Sequence, residues 1–158
     1  MGPADGLSYL ATIPGADYKD SADDWAQLPT IDLTAYQACQ FRATVELWRN
    51  AEKYGLALYD GGNVQYTTDP AGASGWAVAG GAGMNYDGTL SDCGAGCIVN
   101  GQKTWSSSAN PKLKTGIYEA ATPPGTSLTL RFTFHSDSSN LNGGLPGIYI
   151  RRVLIEAF

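Results

Sequence analysis

Alternation of apolar and polar positions is the dominant pattern along this chain. In residues 39–47 the apolar set is Cys39, Phe41, Ala43, Val45 and Leu47, and Gln40, Arg42, Thr44 and Glu46 lie between them. A period of two puts one set on each face of a pleated strand, so this segment predicts a strand with one face in a core. The same pattern returns in residues 128–135: Leu128, Leu130, Phe132 and Phe134 share one parity, while Thr129, Arg131, Thr133 and His135 share the other. Val64, Tyr66 and Thr68 alternate with Gln65 and Thr67. They predict a strand leaving a hairpin whose turn is Asp60-Gly61-Gly62-Asn63, since Gly tolerates positive φ. Residues 54–59, 98–105 and 116–121 are weaker strand candidates. Residues 1–30 read as mostly irregular.

The last strand, from Ile148 towards Phe158, changes parity. Ile148 and Ile150 share one, Val153 and Ile155 the other. One extra residue near Arg151-Arg152 restores a single apolar face, which predicts a β-bulge there. Residues 79–97 and 136–147 are Gly-rich without periodicity and read as long loops. Short strands separated by turns, with no helical stretch, predict an all-β antiparallel sandwich or barrel. Residues 1–14 read as a leader or flexible N-terminal segment, and residues 15–158 as one domain.

Composition narrows the function classes. The 158 residues carry a net charge of −5 with ten scattered basic residues, an unfavourable surface for a phosphate backbone. No apolar run approaches the ~20 residues that span a bilayer as a helix. Cys93 and Cys97 flank Gly94-Ala95-Gly96, a supple segment that could close a small disulfide loop or carry two reduced thiols. Cys39 is expected to be a buried apolar residue.

Chemistry is sparse. His135 is the sole histidine, and its adjacency to Ser136 and Asp137 does not make a triad, which is assembled in space. Glycosidase chemistry needs two carboxylates flanking a sugar; Glu46, Asp60 and Glu119 are the candidates, with no pairing legible. Calcium takes six to eight oxygens. Asp17, Asp20, Asp23 and Asp24 crowd one segment and Asp137 lies in another; these read either as solvated acidic loops or as a calcium site, for which Asp20, Asp23 and Asp137 are the candidate ligands. Sugars stack apolar C–H faces on aromatic rings, and Trp25, Trp48, Trp76, Trp105, Tyr54, Tyr59 and Tyr86 could supply them. Trp48 has the polar-face parity of its strand. The expected ligand-binding set is Trp48, Tyr54, Tyr59, Tyr86, Arg42 and Asn142.

Five segments then resemble a known family. Leu28-Pro29-Thr30-Ile31-Asp32-Leu33 looks like the start of one of its strands. Asp60-Gly61-Gly62-Asn63-Val64 resembles its DGGNV turn, and residues 69–76 stand where it has a second turn ending in Trp. Leu130-Arg131-Phe132 with Ser136-Asp137-Ser138-Ser139 resembles its LRF and SDSS pair. Gly147 to Val153 stands where it has GWYIDDV. These are the MAM-like jelly-roll modules found beside catalytic domains in secreted bacterial proteases of the immune inhibitor A type. The resemblance implies jelly-roll topology, a secreted or cell-surface setting within a larger bacterial protein, and a non-catalytic role in binding or adhesion. Its partner would be a glycan or a cell-surface protein, or the neighbouring domains themselves; a homo-oligomer is left open. It also implies a structural calcium ion. Arg151 and Arg152 replace the family's paired acids, and Arg has no acceptor, so either the two face an acid such as Asp137 or an N-terminal aspartate in place of a metal, or the calcium uses other oxygens.

Overall fold

The structure, a computed structural model, describes residues 8–12, 17–91, 101–138 and 145–158, with the side chains of residues 107–112 left aside. In chain order the strands are β1 (Leu10–Ala11), β2 (Asp23–Gln27), β3 (Ile31–Asp32), β4 (Phe41–Ala51), β5 (Lys53–Tyr54), β6 (Ala57–Leu58) and β7 (Gly61–Thr67). They continue with β8 (Ala77–Val78), β9 (Gly88–Thr89), β10 (Lys103–Thr104), β11 (Ser107–Ala120), β12 (Ser127–His135) and β13 (Gly147–Ala157). Two antiparallel sheets face each other. One has the order β1-β13-β4-β11; the other runs β2-β12-β7-β8, with β3 also paired to β12. Taken along the chain, β1, β2, β4, β7, β8, β11, β12 and β13 cross between the sheets as a jelly roll does.

The alternations seen in the sequence build the core between the sheets. Phe41, Ala43, Val45 and Leu47 of β4 are all buried, and so are Leu128, Leu130, Phe132 and Phe134 of β12. Burying a side chain such as Leu47 stabilises the fold by about 2 kcal/mol. Tyr18 packs edge-on against Phe134, ring centroids 4.8 Å apart, and Tyr86 against Trp105 at 4.6 Å.

The expected bulge is present. On β13, Ile150 pairs with Leu47 and Arg152 with Glu46, so Arg151 is the extra residue. Ile150 and Val153 thereby both meet the core-facing side of β4. The partner expected for the two arginines is corrected. Glu46, directly across the ladder, lies 3.9 Å from Arg151 and 3.8 Å from Arg152.

Other expectations are also corrected. Gly61 to Asn63 form the start of β7, whereas the sequence suggested a turn. Glycine is needed there because neighbours press on the backbone. A Cβ on Gly62 would sit 2.0 Å from the carbonyl oxygen of Thr133, and one on Gly61 2.4 Å from that of Trp105. Residues 53–58 form a small hairpin, β5 with β6, where one strand was expected. The segment before residue 30 holds two strands, β1 and β2. Residues 79–91 contain a 3-10 turn at Ala82–Met84 and β9. Cys39 is only half-buried.

Candidate functional site

Polar parity in β12 and β7 assembles the outer face of the five-stranded sheet. Register sets the rows across it: Asp23, His135 and Gly61; then Trp25, Thr133 and Asn63; then Gln27, Arg131, Gln65 and Val78. Directly opposed residues share a face, so these side chains all leave the core side.

A hydrogen-bond network ties the rows together. The Thr133 hydroxyl donates to Asn63 Oδ1 at 2.8 Å. Asn63 Nδ2 and Gln65 Nε2 both donate to Gln102 Oε1 at 3.0 Å. Gln65 Oε1 in turn accepts from Arg131 Nε at 2.8 Å and Nη2 at 2.5 Å. The Arg131 guanidinium lies 4.1 Å from the centre of the Trp76 ring, a cation–π contact. Burial lowers the Arg131 pKa from its usual value, with Asp23 opposing; the group remains a cation.

Asn63, Gln65, Thr133 and His135 are buried beneath this surface, while Asp23, Trp25 and Gln27 are exposed. Trp25 keeps 57% of its surface in water. It stands on the sheet face beside the braced polar row and turns an apolar ring to solvent. His135 Nε2 lies 3.0 Å from Asp23 Oδ1 without forming a hydrogen bond, and the two make an ion pair only when the imidazole is protonated. Burial lowers the His135 pKa, and Asp23 and Asp24 oppose that.

A second cluster lies at one end of the sandwich. Carboxylate oxygens of Glu52, Asp60 and Asp137 lie within 4.8 Å of one another. Glu52 follows β4, Asp60 precedes β7 and Asp137 follows β12, so the topology brings three strand ends together. The Tyr18 hydroxyl donates to Asp60 Oδ2 and accepts from the Glu52 N–H at 3.0 Å. The Asp137 N–H donates to Asp60 Oδ1 at 2.8 Å. Burial raises the Asp60 pKa to about 6, against the opposing pull of those two donors. Burial and then Asp60 raise that of Tyr18. Oxygen ligands of this kind suit calcium. Glu52 and Asp60 are buried to 1% and 0% exposure, which leaves no room for a sugar between them.

The expected metal set is therefore only partly assembled. Asp137 joins the trio; Asp20 is exposed and Asp23 faces His135, and neither belongs to it. Glu52 and Asp60 were missed as members of this cluster because 77 residues separate Asp60 from Asp137. The one available signal was the Asp60-Gly61-Gly62 motif, read above as a turn.

The expected ligand-binding residues are dispersed. Trp48 is half-buried on the outer face of the other sheet, opposite Tyr149. Tyr54 is 72% exposed on the β5–β6 hairpin, and Tyr59 is half-buried beyond it. Tyr86 serves the core: its hydroxyl donates to the Ala79 carbonyl at 3.0 Å, and burial raises its pKa. Trp105 is likewise a core residue, 1% exposed, whose indole N–H donates to the Met84 carbonyl. Arg42 pairs with Glu119 at 2.7 Å and stacks on Phe158, 5.1 Å from its ring centre. It lines a shallow depression of about 720 Å³ with Tyr36 and Phe158. Asn142, Cys93 and Cys97 lie outside the described residues. Among the described residues no helix is long and apolar enough to cross a membrane. No protein-family model matches the chain, and no curated protein matches it either.

Proposed function

We propose that this chain is a non-catalytic binding module that recognises a glycan on the outer face of its five-stranded sheet. The observation that carries the reading is Trp25, exposed on the same face as the braced Arg131–Trp76 pair. The indole offers an apolar ring for a sugar's C–H face. Asp23, Gln27 and the unused N–H groups of Arg131 offer partners for hydroxyls. Bracing by Gln65 fixes the guanidinium in advance, which reduces the ordering entropy lost on binding. The MAM-like resemblance supports the same role within a secreted or cell-surface bacterial protein. A calcium ion held by Glu52, Asp60 and Asp137 would serve structure at the strand ends, away from the sugar.

A printed glycan array followed by calorimetric titration of a hit tests this. Trp25→Ala and Arg131→Gln should each weaken binding at least tenfold, about 1.4 kcal/mol. An array without hits, or a hit indifferent to both variants, overturns the reading.

A second reading, an accessory domain packed on a neighbouring one, draws on the depression around Tyr36 and Phe158. These are 47% and 58% exposed and adjoin Ile31, Leu33 and Ile155. Exposed apolar side chains clustered in this way suit a domain contact.

A further inference from the structure

We propose a second binding site on the β1/β2 side of the sandwich, where an extended basic peptide adds an antiparallel strand to the free edge of β2. Among the described residues, β1 and β2 end their respective sheets. β1 is only two residues long, and between the two edges a cavity of about 240 Å³ reaches Phe132, Phe134, Ile148 and Ile150. Leu10 and Trp25 stand at its rim, 44% and 57% exposed. A free edge carries a row of unpaired backbone N–H and C=O groups, a template for an incoming strand.

Charge chooses the occupant. Asp17, Asp20, Asp23 and Asp24 are all exposed, and Lys19 is the sole cation in residues 17–27. Asp24 pairs with Phe134 and so points to the cavity side, while Asp23 points to the outer side. A second copy docked antiparallel about Trp25 would set Asp23 opposite Gln27 and Asp24 opposite Ala26, which leaves the aspartates without a cation. An incoming strand with Lys or Arg opposite Asp23 and Asp24 would neutralise both faces of the edge. Two residues further along the ladder, on the cavity side opposite Ala26, an apolar side chain would enter the cavity. The site shares Trp25 and Asp23 with the proposed glycan face but not Arg131, so a variant at Arg131 tells the two readings apart.

The test uses two blocked peptides, TVTKKT and its charge-reversed twin TVTEET. By calorimetry TVTKKT should bind saturably and at least tenfold more tightly than TVTEET. It should also slow hydrogen exchange of β2 amides. Asp24→Lys should reverse the preference, which also shows that the variant is folded; if it does not fold, Asp24→Asn should reduce the preference at least threefold. Arg131→Gln should weaken glycan binding while the preference for TVTKKT over TVTEET persists. Equal affinities, no saturable binding, protection outside β2, or a dimer that Asp24→Lys dissociates would each overturn the proposal.

Discussion

Replacing Asp87 by Asn should destabilise this fold more than most single changes. Asp87 is a hub for cations beside the core. Arg49, on the core-facing side of β4, donates to it through Nε and, at 2.7 Å, through Nη2. Lys114 Nζ lies 3.0 Å away, and the Ser106 N–H donates at 3.0 Å. The Arg49 side chain is 8% exposed and its Nη1 has no hydrogen-bond partner. It depends on the carboxylate for its neutralisation. Removing one member of a buried pair costs about 3–5 kcal/mol, since the other charge stays buried and uncompensated. Against a typical domain stability of about 5–15 kcal/mol, that is a large fraction. With a urea slope of about 2 kcal/mol per M, the midpoint should fall by about 1.5–2.5 M. Adding Arg49→Met removes the stranded charge, so the double variant should be more stable than Asp87→Asn alone by at least about 1 kcal/mol. Lys114 is partly exposed and can turn to water. Equilibrium urea unfolding followed by tryptophan fluorescence measures all three proteins. A loss below about 1 kcal/mol for Asp87→Asn, or a double variant worse than the single, would refute the reasoning.

Further outcomes follow from other sites. Burial alone would raise the Asp87 pKa, but hydrogen bonds from Arg49 and Lys114 hold it below the usual carboxylate value. Its contribution is therefore present above the unfolded value, about 3.9, and lost as pH falls through the lower folded value; acid melts of wild type and Asp87→Asn should converge there. Asp60 works the other way. Its folded value of about 6 exceeds the unfolded one, so its contribution is full at low pH and lost as pH rises through 6. In chelator, lowering the pH from 7.5 to 5 should add about 1 kcal/mol, about 2–4 °C in Tm. His135, with its pKa lowered, opposes this over the same range, so the quantity to compare is wild type minus Asp60→Asn; a zero difference contradicts the assignment. Calcium should raise Tm in wild type and not in Asp60→Asn, because an ion held only by the folded state stabilises it; a melt unchanged by chelator and calcium counts against the ion. Gly62→Ala should cost about 3 kcal/mol or more, since its Cβ meets a backbone carbonyl that cannot turn away. A denaturation midpoint close to that of wild type would contradict that contact.

The legible parts of this fold were those where apolar and polar residues alternate. β4 and β12 run through the middle of their sheets; β4 alternates buried with half-buried positions, while in β12 the alternation is one of chemistry, its polar side being buried as well. The parity change at Arg151 was readable for the same reason. β2 was not readable, because an edge strand with Asp23, Asp24 and Gln27 exposed has no apolar face to display. The glycines of β7 misled because sequence cannot tell a Gly needed for positive φ from one needed for close approach. The acidic trio was hidden for a topological reason. Its members lie on three strand ends that meet only after both sheets have formed. Trp25 and Trp76 were among seven rings, of which parity favoured Trp48 instead; only register separates a surface indole from the core indole of Trp105.

The pairing of β1 and β2 with the last strands has a consequence for synthesis. β2 finds its partner in β12, and β1 finds its own in β13. More than a hundred residues must follow Asp23 before His135 can lie beside it. At about 5–20 residues per second, the nascent chain waits on the order of 5–20 s with β2 unpaired. The aspartates that mark the free edge of β2 in the finished protein would, during that interval, also keep an unprotected segment from joining the wrong strand.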